Sequence, residues 1–255
     1  MTWLAVWLVA LGLTDVVRAM ARPSVARFST VVGVLTAAVL AALLGLTAPV
    51  DLVVLAASLV ALALWVRLSA QALTTGSGHA LALTALVGGG AWLVLLSGWA
   101  SPAGGVLGRW LRWADLPLVE AGADPAAVVL VVGVFLVNLA TANVLVRLVL
   151  VSAGALRPSQ PTAVPERQPS DELRGGRLLG PMERVLILGL GLAGQLTAAG
   201  LVIAAKGLIR FPELQAKRDD TTTVEGVGID KVTEYFLVGS FVSWLIALAT
   251  LALTR

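Results

Sequence analysis

The stretch Val185 to Gly200 reads "VLILGLGLAGQLTAAG" and carries Gly189-x-Gly191-x-x-Gly194 directly after an apolar run. This spacing has two physical readings. A dinucleotide-binding turn needs a short strand, a tight glycine turn and an amphipathic helix, with an acid about 20 residues further on. Glu213 lies near that distance, so the mimicry is fairly complete. The context differs, because the apolar character continues through Leu201, Val202 and Ile203 to Ile209. That reads as one uninterrupted helical span. On this reading Gly189, Gly191, Gly194, Ala198, Ala199 and Gly200 are small residues that let another helix approach closely, and nucleotide binding is set aside.

The rest of the chain supports that choice. Of 255 residues, 58% are hydrophobic and 13% charged, and mean hydropathy is +0.93. A soluble domain carries about 25% charged residues, so this chain has too little polar surface to cover a globule. Its apolar residues come in blocks of roughly 18 or more with few charges, as bilayer-spanning helices require. The expected fold class is all-α: a polytopic transmembrane helical bundle.

Seven spans are expected, at 2–20, 30–50, 52–73, 79–100, 126–153, 182–209 and 234–253. Pro23, Pro49, Gly76, Gly78, Pro102, Pro125 and Pro212 stand where helix ends are needed. Thr2 to Leu13 lacks a preceding basic region and reads as a retained span instead of a cleaved leader. Residues 1–156 would form an N-terminal bundle of five spans, and 157–181 a proline- and charge-rich cytoplasmic linker. A two-span module would follow over 182–255, with a polar loop at 211–233.

Charge sets the orientation. Arg18, Arg22, Arg27, Arg67, Arg157, Arg167, Arg174 and Arg177 fall in alternate loops, while Arg109 and Arg112 are balanced by Asp115, Glu120 and Asp124. The positive-inside rule then predicts the N-terminus outside and the C-terminus inside. Net charge is +3, which in such a protein reflects orientation, and no nucleic-acid partner is expected. Within 106–116, "VLGRWLRWADL", Leu107, Trp110, Leu111 and Trp113 share one face and Arg109, Arg112 and Asp115 the other. This predicts a short helix lying in the outer interface. No internal repeat is evident.

Ionisable groups inside spans are costly and mark candidate sites. Glu183, Arg184, Gln195, Lys206 and Arg210 lie in the sixth span, with Gln195 and Lys206 eleven residues apart and so on nearly the same face. Asn143 and Arg147 in the fifth span, and Glu234, Ser240 and Ser243 in the seventh, supply partners. Asp15 and Arg18 form an i, i+3 pair in the first. Cysteine is absent, and the single His79 has no companion ligands, so neither a metal site nor a cofactor is expected. No G-x-S-x-G elbow accompanies His79, and no catalytic residue is assigned.

Four segments resemble, in order, a bacterial integral-membrane family designated domain of unknown function 3307. They are "NVLVRLVL" from Asn143, "GRLLGPMERVLIL" from Gly176, "AGQLTAAGLVIAAKGLIRFPEL" from Ala193 and "TEYFLVGSFVSWLIAL" from Thr233. The resemblance implies a polytopic helical membrane protein. It also directs attention to Asn143, Arg147, Gly176, Arg177, Glu183, Arg184, Gln195, Lys206, Arg210, Glu234 and Ser240. The first half departs from the family pattern: "LGLTDVVRAM" keeps Asp15 without the His and Gln that flank an Asp there.

Three functions are compatible with this reading. The first is binding or passage of a small solute or lipid headgroup at a polar site made by Asn143, Arg147, Glu183, Arg184, Gln195, Lys206, Arg210, Glu234 and Ser240. The second is a structural or assembly subunit, in which the Gly189/Gly191/Gly194 face docks a membrane protein partner or a second copy. The third is an intramembrane lipid-modifying enzyme with Glu183 or Glu234 as acid or base. It lacks any accompanying nucleophile or phosphate loop, so enzymatic activity is not expected. Membrane lipids are partners in all three.

Overall fold

A computed structural model describes residues 1–20, 26, 28–115, 124–158, 176–219 and 229–254, with side chains at 176–178, 209–219 and 229–232 outside the description. Among the described residues the secondary structure is entirely helical. The helices are α1 (Thr2–Met20), α2 (Ser29–Leu44), α3 (Pro49–Thr75), α4 (His79–Leu95), α5 (Gly105–Ala114), α6 (Pro125–Leu136), α7 (Ala142–Ser152), α8 (Gly176–Leu192), α9 (Leu196–Asp219) and α10 (Ile229–Ala252). A π-helical turn, Val137–Thr141, joins α6 to α7. Among the described residues four helices are long and apolar enough to cross a membrane: Thr2–Met20, Pro49–Thr75, Pro125–Ser152 and Thr233–Ala252. Ser29–Leu44 and His79–Leu95 are apolar but shorter than the spans expected there.

The chain gathers into two compact units, one of Met1–Leu68 with Ala80–Thr141, the other of Ser69–His79 with Ala142–Leu253. The division falls at the π-turn, ahead of the proline-rich stretch where the sequence places it. That stretch lies outside the described residues over 159–175.

In the first unit α1 is apolar all round, and every residue from Thr2 to Gly12 is buried, as befits a central helix. It packs against α2 and α6. Close approach to α6 depends on two glycines. A Cβ on Gly12 would lie 2.5 Å from Leu136 Cβ, and one on Gly133 would lie 2.9 Å from Leu8 Cβ. These pairs advance together, so α1 and α6 run parallel. Asp124 caps α6 by accepting from the Ala126 amide at 3.0 Å, with Pro125 at the first helical position. The outward faces of α2, α3 and α4 carry Leu35, Val39, Val53, Val60, Leu81 and Val87 exposed, as helices facing hydrocarbon would.

α1 is tied to α3 by indoles. Trp3 Nε1 donates to Asp51 Oδ1 at 2.7 Å, Trp7 Nε1 to the Ser58 carbonyl at 3.0 Å, and Trp65 Nε1 to Asp15 Oδ2 at 3.0 Å. The partners lie 48, 51 and 50 residues apart, a nearly constant offset that makes these helices parallel as well. Asp15 also accepts from Arg18 at 2.8 Å, the i, i+3 pair expected from sequence.

α5 occupies the expected interfacial segment with a different buried stripe. Gly108 and Leu111 are covered, whereas Trp110 and Trp113 join Arg109 and Arg112 on the outside. Leu111 is the one member of the predicted apolar face that is fully buried, and both indoles remain available to a headgroup layer.

The second unit corrects the reading of the glycine stretch. The single span expected over 182–209 is two helices, α8 and α9, broken at Ala193 to Gln195. Gly194 has φ +76°, a left-handed conformation that costs other residues about 1–2 kcal/mol. Its amide donates to the Gly191 carbonyl at 3.1 Å, and the Gln195 amide donates to the Leu190 carbonyl at 2.8 Å. This pair of bonds is the Schellman helix stop. The two helices then fold back on each other, with Ile187 and Ala199 in one buried cluster together with Ala247.

The small-residue face is therefore divided. Gly191 meets the Leu251 side chain of α10, Gly194 ends a helix, and Gly189 and Gly200 have open space where a Cβ would stand. The expected polar loop at 211–233 also contracts. α9 continues to Asp219 and α10 begins at Ile229, and residues 220–228 lie outside the description.

Candidate functional site

The polar side chains of the second unit are placed by four helices. Glu183 and Arg184 are neighbours on α8 and so point about 100° apart around its axis. Glu183 turns toward α9 and Arg184 toward α7 and α10. Arg184 is 1% exposed. Its Nη1 donates to Ser243 Oγ of α10 at 2.8 Å and its Nη2 to Asn143 Oδ1 of α7 at 2.5 Å. The planar guanidinium thus ties two helices to a third, as its forked donors allow.

Across the α8–α9 hairpin, Lys206 Nζ donates to Glu183 Oε2 at 2.5 Å. Both side chains are nearly covered. The ammonium also lies 6.0 Å from the ring centres of Phe236 and Trp244 on α10, at the outer limit for cation–π attraction. The Trp244 indole N–H is shut away from solvent and has no hydrogen-bond acceptor among the described residues.

Packing fixes this geometry. Leu150 and Val151 at the end of α7, with Ala155 and Leu156 just beyond it, are buried against Tyr235 and Val238 of α10, while Ile187 of α8 is buried with Ala247 and packs with Trp244 further along α10. α10 therefore runs antiparallel to α7 and parallel to α8. Ser243 falls opposite Arg184 as a result. Holding three ionisable groups among apolar helices costs several kcal/mol unless they are paired. Here each is paired, and the hydrogen bonds to charged groups are of the stronger kind.

Of the predicted site residues, Asn143, Glu183, Arg184 and Lys206 come together. Ser240 is buried one turn before Ser243. Arg147 is exposed, one turn beyond Asn143, and Glu234 is exposed near the start of α10. Gln195 is a correction: it stands exposed in the turn before α9, not inside a helix with Lys206, so the expected polar stripe does not form. Arg210 lies in α9 with its side chain outside the description. Ser243, noted in sequence but not assigned to the site, belongs to the network. Phe236 and Trp244 were missed; their only signal was helical spacing around Ser240, which an ordinary core position shares.

No protein-family profile, no curated protein and no solved structure matches this chain. The function is therefore argued from this geometry alone.

Proposed function

We propose that the protein is a multi-pass protein of the bacterial inner membrane whose C-terminal helices bind or pass a small solute or a lipid headgroup. The site is the cluster of Glu183, Arg184 and Lys206 with Asn143 and Ser243. Arg147, Ser240, Arg210 and Glu234 remain outer candidates on the same helices. Membrane lipids surround it, and the basic linker around Arg157 to Arg177 lies in the cytoplasm, with the first helix starting outside.

One observation carries this reading. Three ionisable residues from two helices are gathered, with polar partners from two more, beside clusters of aliphatic and aromatic side chains. A packing role alone would be served at lower cost by apolar side chains of similar volume.

The second reading, a structural or assembly subunit, is favoured by the mutual pairing of Lys206 with Glu183 and of Arg184 with Asn143 and Ser243. The two readings separate in the Glu183→Gln/Lys206→Met double variant, which removes both charges and keeps the volumes. The parent and the variant are extracted from membranes into nanodiscs and inspected by native mass spectrometry. A ligand site predicts a bound lipid or solute on the parent that is lost from a folded double variant. A parent with no bound species, or equal occupancy in both, would make the cluster structural.

A further inference from the structure

We propose that the α8–α9 hairpin enters and leaves the membrane on one side, the side where α7 ends and α10 begins, so that the far end of α10 lies on the opposite side. The inference stands on chain direction and charge, and does not depend on what the polar cluster binds.

The directions follow from contacts within the second unit. α7 closes the helix Pro125–Ser152, which is long and apolar enough to cross. In the second unit, Val146 and Leu150 lie beside Gly239, and Leu150 and Val151 pack with Tyr235 and Val238. Asn143, earlier on α7, reaches Ser243, later on α10, through Arg184.

α7 and α10 are thus antiparallel, and α10 starts where α7 ends. Its apolar length, Thr233–Ala252, crosses once more and carries the chain to the opposite side. Between Ser152 and Ile229 the number of crossings must be even. The hairpin closed at Gly194, with Glu183 and Lys206 opposed on its two arms, meets that condition; one uninterrupted sixth span would not.

The distribution of charge agrees. With a single sixth span, Lys217, Arg218 and Lys231 would lie across the membrane from Arg157, Arg167, Arg174 and Arg177, whereas with the hairpin all of them share one side and Arg255 stands on the other. Lys and Arg near span ends collect on the cytoplasmic side, so the hairpin gives a cleaner separation than the single span. The end of α10 then lies outside, where the sequence alone places it inside.

The absence of cysteine from the chain allows a direct test. Single-cysteine variants Ser77→Cys, Gln168→Cys, Thr222→Cys and Thr254→Cys of the full chain are treated with a membrane-impermeant maleimide in sealed right-side-out vesicles. Labelling is repeated after permeabilisation to give the total for each variant. Thr254→Cys is expected to label fully in sealed vesicles. Ser77→Cys, Gln168→Cys and Thr222→Cys are expected to label only after permeabilisation. Labelling of Thr222→Cys in sealed vesicles, or of Thr254→Cys only after permeabilisation, would overturn the proposal. Either result leaves the ligand-occupancy test of the cluster unaffected, so the two readings fail separately.

Discussion

The α1–α3 pair and the α8–α10 pair solve the same problem with different chemistry. In each, two parallel helices are joined by hydrogen bonds across an apolar unit. α1 and α3 use neutral indole donors reaching Asp51, the Ser58 carbonyl and Asp15. α8 and α10 use a buried guanidinium, with an ion pair to α9 beside it. Indoles bring large apolar surface and one donor, so they satisfy an acceptor at little desolvation cost. Asp15 and Asp51 are themselves buried carboxylates, so both regions hold charge; the second also buries a cation, Arg184, whose desolvation costs several kcal/mol unless it is paired. The contrast is why the second region is the candidate site and the first is read as scaffold.

The contrast is most exposed to failure at Arg184. Arg184→Met would strip Asn143 and Ser243 of their shared donor and leave the Glu183–Lys206 pair without the adjacent cation. A loss of about 3 kcal/mol or more is expected in chemical unfolding of the purified chain. Stability within about 1 kcal/mol of the parent would erase the distinction between the two regions.

Lys206→Met should come next, since it isolates the Glu183 carboxylate. A loss of about 3 kcal/mol is expected, largely recovered when Glu183→Gln is added. Thermal melts of the two variants side by side would show whether recovery occurs.

Smaller effects are expected in the scaffold, and their order is informative. Trp65→Phe removes a donor to the Asp15 carboxylate and should cost about 2 kcal/mol, whereas Trp7→Phe removes a donor to a neutral carbonyl and should cost about 1 kcal/mol. Equal losses in denaturant titrations would mean that packing, not hydrogen bonding, decides both.

At the hairpin, Gly194→Ala should cost about 1 kcal/mol through its left-handed backbone. Gly189→Ala, inside α8 with open space at the Cβ, should be neutral or stabilising by up to about 1 kcal/mol. Comparable losses at both positions would argue for the packed small-residue face instead.

These residues also show how far the sequence could be read. Helical class, apolar blocks and the polar positions Asn143, Glu183, Arg184 and Lys206 were legible, because hydropathy and intramembrane charge are local properties. The break at Gly194 was not. Its flanks are apolar on both sides, no proline marks it, and the Schellman stop needs only one glycine with an ordinary neighbour. The signal available was length: a helix beginning as early as Gly176 and running past Ile209 exceeds what one crossing needs. Missing that break displaced Gln195 from a turn into a helix. The indole bridges were equally hidden, because a tryptophan on an apolar helix reads as core until its acceptor is known.

The hairpin is the central claim, and one distance tests it. Met182 and Leu208 are both exposed, so spin labels at Met182→Cys and Leu208→Cys in nanodiscs would perturb little. Folding back at Gly194 predicts a distribution below about 25 Å, set by helices packed 8–10 Å apart plus the label arms. A distribution centred near 39 Å, the rise of 26 residues in one helix at about 1.5 Å each, would contradict it.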